Sequence, residues 1–344
     1  MNVLNDPLVS IILLNYNGIK YVDLWNSVLK QDYDNYEIIF VDNGSVDGSA
    51  DVFKARLREN DPPVEFLRLP KNVGYSKAND LGLELTKGKY VVLLSNDIEV
   101  QSTWLRNMVD HLESNPEIGV AQSMMFSIFN REVPDKMGNY IDVLGFNYPF
   151  VPTGEVKEVF YSEGAVMFIR RELIEKAGGL FDEDFFMFFE DVDFCWRIRL
   201  LGYNIVVVPS SIVYHVRGGT VPGVLVKNDR FYASKNCRNR LVTLFKNFDS
   251  PRMLIYVPIS ATMETILGIW LILMGKKGMG EATIEGVWQF LRSIPALSRK
   301  RRAIQRSRVV SDAMLMKNIV PMRGAISNLF SNSRQFKSEL MSEK

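Results

Sequence analysis

An α/β fold with a mostly parallel central sheet and helices on both faces is predicted by two patterns in the chain's first half. Short β-rich segments alternate there with amphipathic stretches, as they do in successive βαβ units. Four of these segments are predicted to be strands, at 8–14, 37–41, 64–69 and 89–94. Three intervening stretches with helical periodicity are predicted to be helices, at 22–29, 50–57 and 76–85.

Small and polar residues follow each of the four predicted strands. These loops occupy residues 15–18, 42–45, 72–75 and 95–97. One such loop would be ordinary turn chemistry, because Asn, Asp, Gly and Ser suit tight turns and helix caps. Ligands of parallel sheets, however, bind beyond the carboxyl ends of the strands. Four such loops in succession therefore predict a binding site along one rim of the sheet.

The same domain is predicted to continue to about residue 250. A strand is expected at 165–169, followed by a helix at 171–177 that Gly178 and Gly179 end. A second helix is expected at 191–201. The segment 124–152 shows no pattern from which its conformation can be inferred. We therefore assign residues 1–250 to one domain and residues 251–344 to a separate helical, basic, membrane-associating region.

The run 253–274 has the length of a membrane-crossing helix, for which about 20 residues suffice. It contains one ionisable residue, Glu264, and one proline, Pro258. Three arrangements fit this run: a transmembrane helix, a segment lying in the membrane interface, and a buried soluble helix pair. We favour the interfacial one, because Glu264 would be costly in lipid and Pro258 interrupts the helix early.

The end of the chain is basic although the whole chain has a net charge of only +1. Residues 292–344 contain 12 Lys and Arg against 3 Asp and Glu, so the remainder is acidic. A basic tail suits an anionic partner, or it is simply a solvated helical surface. No nucleic-acid-binding module is recognisable and aromatic residues are sparse, so we expect a membrane surface and no nucleic acid as the partner. Arg238 and Arg240 would face phosphate groups or pair with acidic residues.

The two cysteines, Cys195 and Cys237, lie far apart in the sequence and form no disulfide framework, which suits a reducing compartment. The first ten residues lack a basic region followed by an apolar run, so no signal peptide is expected. Together with the apolar run and the basic tail, these features predict that the protein is located at the cytoplasmic face of the cell membrane. A homo-oligomer is a further candidate assembly for this chain.

Several ordered motifs resemble a known family over residues 8–250. They are the segments 11–18, 37–49, 72–79, 178–193 and 215–219. Together they are similar to family-2 glycosyltransferases with the Rossmann-like GT-A fold, and most similar to the rhamnosyltransferase-like branch. The resemblance implies a metal-dependent, inverting enzyme that moves a hexose, such as rhamnose, from a nucleoside-diphosphate donor. UDP or dTDP is the expected donor nucleotide, and the acceptor a hydroxyl of a lipid-linked oligosaccharide or surface polysaccharide.

The donor is expected to contact residues at the strand ends. Asp42 can accept a hydrogen bond from the ring N–H of a pyrimidine, or it merely forms an Asx-turn. Lys77 would meet the diphosphate at a helix N-terminus, or it is a solvated helix lysine. The full predicted donor set is Asn15, Tyr16, Asp42, Asn43, Gly74, Lys77, Asn79 and Asn96.

A divalent cation, Mn²⁺ or Mg²⁺, is the expected cofactor. Ser95, Asn96 and Asp97 occupy the place of the family's Asp-x-Asp metal motif, so Ser95 departs from the pattern and Asp97 remains as a hard oxygen ligand. By resemblance, His215 is the second protein ligand. An imidazole suits Mn²⁺ better than Mg²⁺. We interpret the other histidine, His111, as structural.

The resemblance makes Asp191 the catalytic base that takes the proton of the acceptor hydroxyl. Glu190, Trp196 and Arg217 are the predicted acceptor contacts. The acids at 190–193 would also stabilise the start of the following helix, a role compatible with catalysis. Because Ser95 departs from the metal motif, the alternative function is a catalytically inactive nucleotide-sugar-binding or scaffold protein at the membrane.

Overall fold

The computed structural model describes residues 6–135, 137–150, 154–216 and 230–321. Its strands are β1 Val9–Asn15, β2 Tyr36–Asp42, β3 Val64–Arg68, β4 Tyr90–Ser95, β5 Ile98–Val100, β6 Ile118–Ser127, β7 Asn130–Pro134, β8 Met137–Asp142, β9 Asn147–Phe150, β10 Lys157–Glu158, β11 Val166–Arg170, β12 Asn204–His215 and β13 Ile319–Val320. The helices are α1 Ser49–Arg56, α2 Tyr75–Leu83, α3 Trp104–Ser114, α4 Arg171–Lys176, α5 Glu190–Leu200, α6 Arg230–Asn247, α7 Ser250–Leu273, α8 Lys277–Ser307 and α9 Asp312–Leu315.

One large sheet forms the centre, in the order β10-β12-β6-β11-β4-β1-β2-β3, with β5 beside β12 and β7 beside β6. The strands β3, β2, β1 and β4 are parallel, while β11 runs antiparallel between β4 and β6, so the sheet is mixed. A second, three-stranded sheet contains β13, β8 and β9. The predicted α/β class is confirmed.

The register of the parallel strands brings their polar ends together. All seven residues of β1 are buried, as expected of a central strand covered on both faces. Asn15 at its end pairs with Asp42 of β2, and Leu14 pairs with Ser95 of β4. The loops that follow β1, β2 and β4 therefore start at one level of the sheet, which is the predicted rim.

Two segments differ from the predicted elements. The expected helix at 22–29 is replaced by two 3₁₀ turns, Ile19–Tyr21 and Leu24–Ser27. Trp25 is fully buried there against Phe40 and Phe53, and its ring N–H donates to the carbonyl of Asn96, so tertiary packing decides the local conformation. The segment 124–152 contains the end of β6 and the strands β7, β8 and β9.

Helix α8 attaches to the preceding domain at a buried ion network that also includes Lys246 of α6. Lys246 of α6, 2% exposed, lies 2.6 Å from Asp182 and 3.1 Å from Asp193. Lys300 of α8 contacts Asp182 at 2.5 Å and Asp184 at 2.7 Å. Burial alone would raise the pKa of Asp182. The two lysines together have the larger, opposite effect, so the pKa lies below its ordinary value. The domain boundary at residue 250 stays a prediction.

Helix α7 has one buried and one exposed stripe. The buried stripe holds the polar side chains of the apolar run: Ser260 donates to the carbonyl of Leu144, and Glu264 forms an ion pair with Arg240. The exposed stripe is apolar and contains Ile255, Ile259, Ile266, Trp270 and Leu273. Within the described part of the chain, α7 alone is long and apolar enough to cross a membrane, judged by length and composition.

Replacing Lys246 with Met tests the ion network. We expect Lys246→Met to lower the free energy of unfolding by about 1–3 kcal/mol, because Asp182 and Asp193 each lose one buried cation while Lys300 and Arg197 remain beside them. Urea denaturation of the full chain measures this change. Lys176→Met is the matched control, since Lys176 pairs with Glu172 on the surface and should change stability by less than about 0.5 kcal/mol. Equal, small effects of both substitutions would contradict the proposed importance of the network.

Candidate active site

The side-chain amide of Asn15 joins three loops at the rim. It is fully buried, and its nitrogen lies 3.3 Å from Asp42 Oδ1, 3.2 Å from Ser45 Oγ and 2.9 Å from Ser49 Oγ. Its oxygen accepts a hydrogen bond of 2.9 Å from the side chain of Asn96. Because these partners follow β2 and β4, Asn15 fixes the loops relative to one another. Its side chain therefore shapes the site from behind.

Asp42 presents one carboxylate oxygen to the site. Its Oδ1 accepts hydrogen bonds from Asn15 Nδ2 and from the backbone N–H of Ser45, each 3.3 Å long. The hydrogen bond from Ser45 is that of the Asx-turn predicted as the alternative role of Asp42. Oδ2 makes no hydrogen bond with a residue in the described ranges, so this oxygen can still accept a hydrogen bond from a ligand. Tyr16, next to Asn15, is half-buried.

Asn43 and Gly74 shape the neighbouring loop. The side-chain oxygen of Asn43 accepts from the N–H of Val73, and its nitrogen donates to Asn72 Oδ1 and to the carbonyl of Gly74. Gly74 has a φ of +91°, and a Cβ there would lie 2.5 Å from the carbonyl oxygen of Phe186. Only glycine fits at this crossing without displacing the backbone. Asn43 thus holds the 72–74 loop, and Gly74 allows Phe186 to lie close to this loop.

Asp97 and His215 meet because β5 pairs with β12. In that register His215 is opposite Ile98, and the N–H of Val216 donates to the backbone carbonyl of Asp97. Both side chains are at least nine-tenths buried, with His215 Nε2 3.4 Å from Asp97 Oδ2. The other ring nitrogen, Nδ1, lies 3.8 Å from Asp135 Oδ2. We did not identify Asp135 from the sequence, because it lies in the segment 124–152 that carries no readable pattern.

The pair Asp97 and His215 fits a divalent cation as a two-ligand site. Over the described ranges, no group of three or more His, Cys, Asp or Glu side chains could hold a metal ion. A cation bound here would therefore take its other ligands from water or from a ligand's phosphate oxygens, as Mg²⁺ commonly does. The facing oxygen and nitrogen are 3.4 Å apart, close to the roughly 3 Å between adjacent ligands that each bind an octahedral ion at about 2.1 Å.

Asp191 lies beside the end of β4. Its Oδ2 accepts from the N–H of Gly164 at 3.1 Å, and its Oδ1 accepts from the N–H of Val192 at 2.8 Å. Ala165 follows Gly164 in the chain, and its carbonyl accepts a hydrogen bond from the N–H of Ser95, the last residue of β4, at 2.9 Å. Burial raises the pKa of Asp191 to about 6, although the hydrogen bonds from Gly164 and Val192 oppose the shift. This carboxylate is thus poised to exchange a proton near neutral pH.

Glu190 and Tyr75 adjoin Asp191. Glu190 is buried and its Oε2 finds no hydrogen-bond partner among the residues described, and burial together with Asp191 raises its pKa well above the ordinary value. The hydroxyl of Tyr75 donates to the carbonyl of Gly164 at 2.5 Å. Burial and the neighbouring acids raise the pKa of Tyr75. Tyr75 lies within the motif at 72–79, but we did not identify it as a site residue from the sequence.

Trp196 and Asn79 are both buried in this structure. Trp196 is fully buried, with its ring edge-on to Phe160 at 5.2 Å and to Phe248 at 4.8 Å. The prediction that it contacts the acceptor is therefore wrong, because the large apolar ring fills the core. Asn79 is also fully buried, and its amide donates to the carbonyl of Tyr75 one turn earlier. Its side chain is therefore used within α2, and its predicted donor contact stays a prediction.

Lys77 lines a second cleft. This exposed side chain borders a cavity of about 630 Å³ together with Asp80, Asp182 and Lys300, and the described residues that line it include neither Asp42 nor Asp97. The contact of Lys77 with the donor stays a prediction. Arg217, predicted to contact the acceptor, lies outside the described residues.

The sequence of the rim segments matches a known protein family. Residues 10–178 match the family model described as "Glycosyl transferase family 2". This part of the chain is a glycosyltransferase family 2 domain. The match includes the rim loops after β1, β2 and β4 and ends within the turn after α4. Asp191 and His215 lie beyond it.

Three curated relatives extend this finding. The chain is 30% identical over 226 residues to the uncharacterized protein y4gI of Sinorhizobium fredii; the match covers 61% of this chain but about a quarter (24%) of that protein. It is 28% identical over 228 residues to the glycosyltransferase GlyG of Streptococcus pneumoniae, covering 62% and 72% of the two chains. It is 23% identical over 273 residues to the poly-β-1,6-N-acetyl-D-glucosamine synthase of Staphylococcus aureus, covering 77% and 63%.

Two solved structures share the fold. Residues 1–349 of S. aureus TarS, in complex with UDP, superpose with a TM-score of 0.52 at 18% identity, covering 90% of this chain and 91% of that one. The mannosyltransferase PcManGT of Pyrobaculum calidifontis, in complex with GDP-Man and Mn²⁺, gives a TM-score of 0.52 at 17% identity, covering 84% and 88%. These likenesses establish a GT-A-like fold for the glycosyltransferase family 2 domain and the helices that follow it.

Proposed function

We propose that this chain transfers a sugar, with inversion, from a nucleoside-diphosphate donor to a hydroxyl group of an acceptor glycan. UDP or dTDP is the proposed donor nucleotide and a hexose, rhamnose among the candidates, the transferred sugar. One observation carries the proposal: Asp42, the pair Asp97 and His215, and Asp191 all lie at the strand-end rim. The complex of TarS with UDP supports the nucleotide, because that protein shares the fold.

The donor would lie along the rim from Asp42 towards Asp97. The open Oδ2 of Asp42 would accept the ring N–H of uracil or thymine, which a purine base does not present in the same position. Tyr16 would offer its ring to the base. A cation held by Asp97 and His215 would neutralise charge that develops on the departing diphosphate. The Mn²⁺ found with PcManGT supports a divalent cation here.

Asp191 would act as the base. Inversion in one step needs a carboxylate that accepts the acceptor's proton as the hydroxyl attacks the anomeric carbon. Two backbone N–H groups orient the Asp191 carboxylate, and burial keeps its pKa near 6, so it is ionised but still basic at neutral pH. Glu190, with its unpartnered Oε2, would hydrogen-bond the acceptor from the adjacent position.

The acceptor would be a lipid-linked oligosaccharide or a surface polysaccharide, met at the cytoplasmic face of the cell membrane. The polysaccharide synthase among the relatives supports the acceptor class. The exposed apolar stripe of α7 supports contact with the membrane surface. The buried stripe of the same helix packs against the rest of the protein, so the helix has only one face free for lipid. We therefore propose that α7 lies in the membrane interface and does not span the bilayer. Homo-oligomer formation stays a prediction.

Replacing Asp191 with Asn tests the base. We expect the transfer rate to fall about 10²–10⁴-fold, the usual contribution of a general base. In the wild type, kcat/KM should rise with pH through a limb near pH 6, because Asp191 works only when deprotonated and burial has raised its pKa. Asp110→Asn, an exposed position on α3, is the control and should leave both the rate and the limb unchanged. Undiminished transfer by Asp191→Asn would contradict the assignment of Asp191 as the base.

The alternative function makes a different prediction. If the wild-type protein binds the donor but neither hydrolyses it nor transfers its sugar, the inactive scaffold is favoured.

Removing the imidazole of His215 tests the cation site. We expect Mn²⁺ to tighten UDP binding to the wild type and EDTA to reverse this effect. His215→Ala should lose at least about tenfold of the Mn²⁺-dependent affinity, because one of two protein ligands is gone. Calorimetric titration measures both proteins, with His111→Ala on α3 as the control. If His215→Ala and the wild type respond to Mn²⁺ alike, the site is assigned wrongly.

Charging the exposed stripe of α7 tests the membrane contact. We expect the full chain to float with vesicles that contain anionic phospholipid. The double substitution Ile266→Glu and Leu273→Glu should weaken flotation at least about tenfold, because two carboxylates would enter the interface. Phe129→Glu is the control, since Phe129 is exposed on the turn between β6 and β7. Wild-type chain that stays with the soluble fraction would refute the membrane proposal.

A further inference from the structure

The turn that precedes Asp191 has an unusual backbone. Phe188 and Phe189 have φ angles of +70° and +68°, in the left-handed region. Residues that carry a Cβ atom occupy this region at a cost of about 1–2 kcal/mol each. Two consecutive aromatic residues there need contacts that hold them. Because Phe189 is the N-cap of α5, this turn sets the direction of the helix turn that carries Asp191.

Asn239 of α6 supplies such contacts. It is fully buried, and its side-chain nitrogen donates to the carbonyls of Met187 and Phe188, each at 3.0 Å. Its side-chain oxygen accepts from Arg238 Nη1 at 2.8 Å, which fixes the orientation of the amide. The same guanidinium donates to the carbonyl of Asp184. The amide of Asn239 thus holds both peptide groups that lead into the strained turn.

The other side of the turn is held by the rim. The N–H of Tyr75 donates to the carbonyl of Phe186 at 2.7 Å, directly after the glycine that passes close to this carbonyl. The turn is therefore held between α2 at Phe186 and α6 at Met187 and Phe188. The α2 contact is backbone to backbone, whereas the α6 contact depends on one side chain. Asn239 is therefore the member of this clamp that a substitution can remove.

We propose that Asn239 is a positioning residue for sugar transfer: it holds the 187–189 turn so that the Asp191 carboxylate meets the N–H of Gly164 beside the end of β4. This inference rests on the proposed role of Asp191 as the base. Asn239 itself touches neither donor nor acceptor. Its removal should therefore impair the proton transfer step while the donor loops, held by Asn15 and Asn43, keep their arrangement.

The experiment replaces Asn239 with Asp in the full chain. Aspartate has the same shape and keeps the contact with Arg238, but it cannot donate to the two carbonyls. We expect kcat to fall at least about tenfold with the donor KM changed less than about twofold. In the pH profile of kcat, the acidic limb should move to lower pH than in the wild type. The reason is that Asp191 leaves its buried position, so burial no longer raises its pKa. Asn239→Ala, which adds no charge, should give the same split if the Asp variant folds poorly.

Arg301→Met is the matched control. Arg301 of α8 also donates to backbone carbonyls, those of Phe245, Lys246 and Phe248, but at the other end of α6. We expect it to lower stability and to leave kcat and the pH limb unchanged at temperatures well below unfolding. If the Asn239 variants lose activity only in proportion to their unfolded fraction, as the control does, the positioning role is overturned.

Asp191→Asn separates the two proposals. Full activity of that variant would defeat the base assignment itself. An inactive Asp191→Asn together with fully active Asn239 variants would overturn only the positioning role. A loss of kcat in both, with the donor KM preserved in the Asn239 variants, is the result that we expect.

Discussion

The buried amide of Asn15 is the contact on which the rest of the site depends. A polar group that is fully removed from water must find partners within the protein, because leaving it unpaired costs about 1–3 kcal/mol. The partners of Asn15 belong to the loops after β2 and β4, so satisfying one amide fixes three strand ends at once. Asp42 and the Asn96–Asp97 turn are placed by this requirement. The glycosyltransferase family 2 domain thus arranges its rim loops by hydrogen bonds within the protein, before any ligand binds.

The opposite side of the site depends on the C-terminal helices. Lys246 and Lys300 neutralise the buried carboxylates of the 182–193 segment, and Asn239 holds the turn before Asp191. Helix α8, which belongs to the region predicted to associate with the membrane, therefore also contacts the acidic segment through Lys300. Helix α7 packs one stripe against the domain, where Glu264 pairs with Arg240 of α6, and leaves its other stripe exposed.

Local patterns predicted the elements whose environment is simple. The four parallel strands were predicted to within one residue at each end. Strands β1, β2 and β4 are buried, nearly continuous apolar runs, the edge strand β3 mixes apolar and charged residues, and polar loops mark the strand ends. The meeting of Asp97 and His215 came from family resemblance, since the pairing of β5 with β12 joins distant segments. Local patterns failed where tertiary packing decides. Trp196 is a core residue, the 22–29 segment turns to bury Trp25, and Asn239 acts on a turn some fifty residues away in sequence.

The central claim is that separate rim segments bind one nucleotide sugar together. Hydrogen exchange of the full chain, with and without UDP and Mn²⁺, measures this most directly. We expect the ligand to slow exchange together at Ser45, Gly164 and Val216, whose N–H groups bond to Asp42, Asp191 and Asp97. Protection confined to the cleft around residues 175–183, or protection at one of these segments alone, would contradict the account.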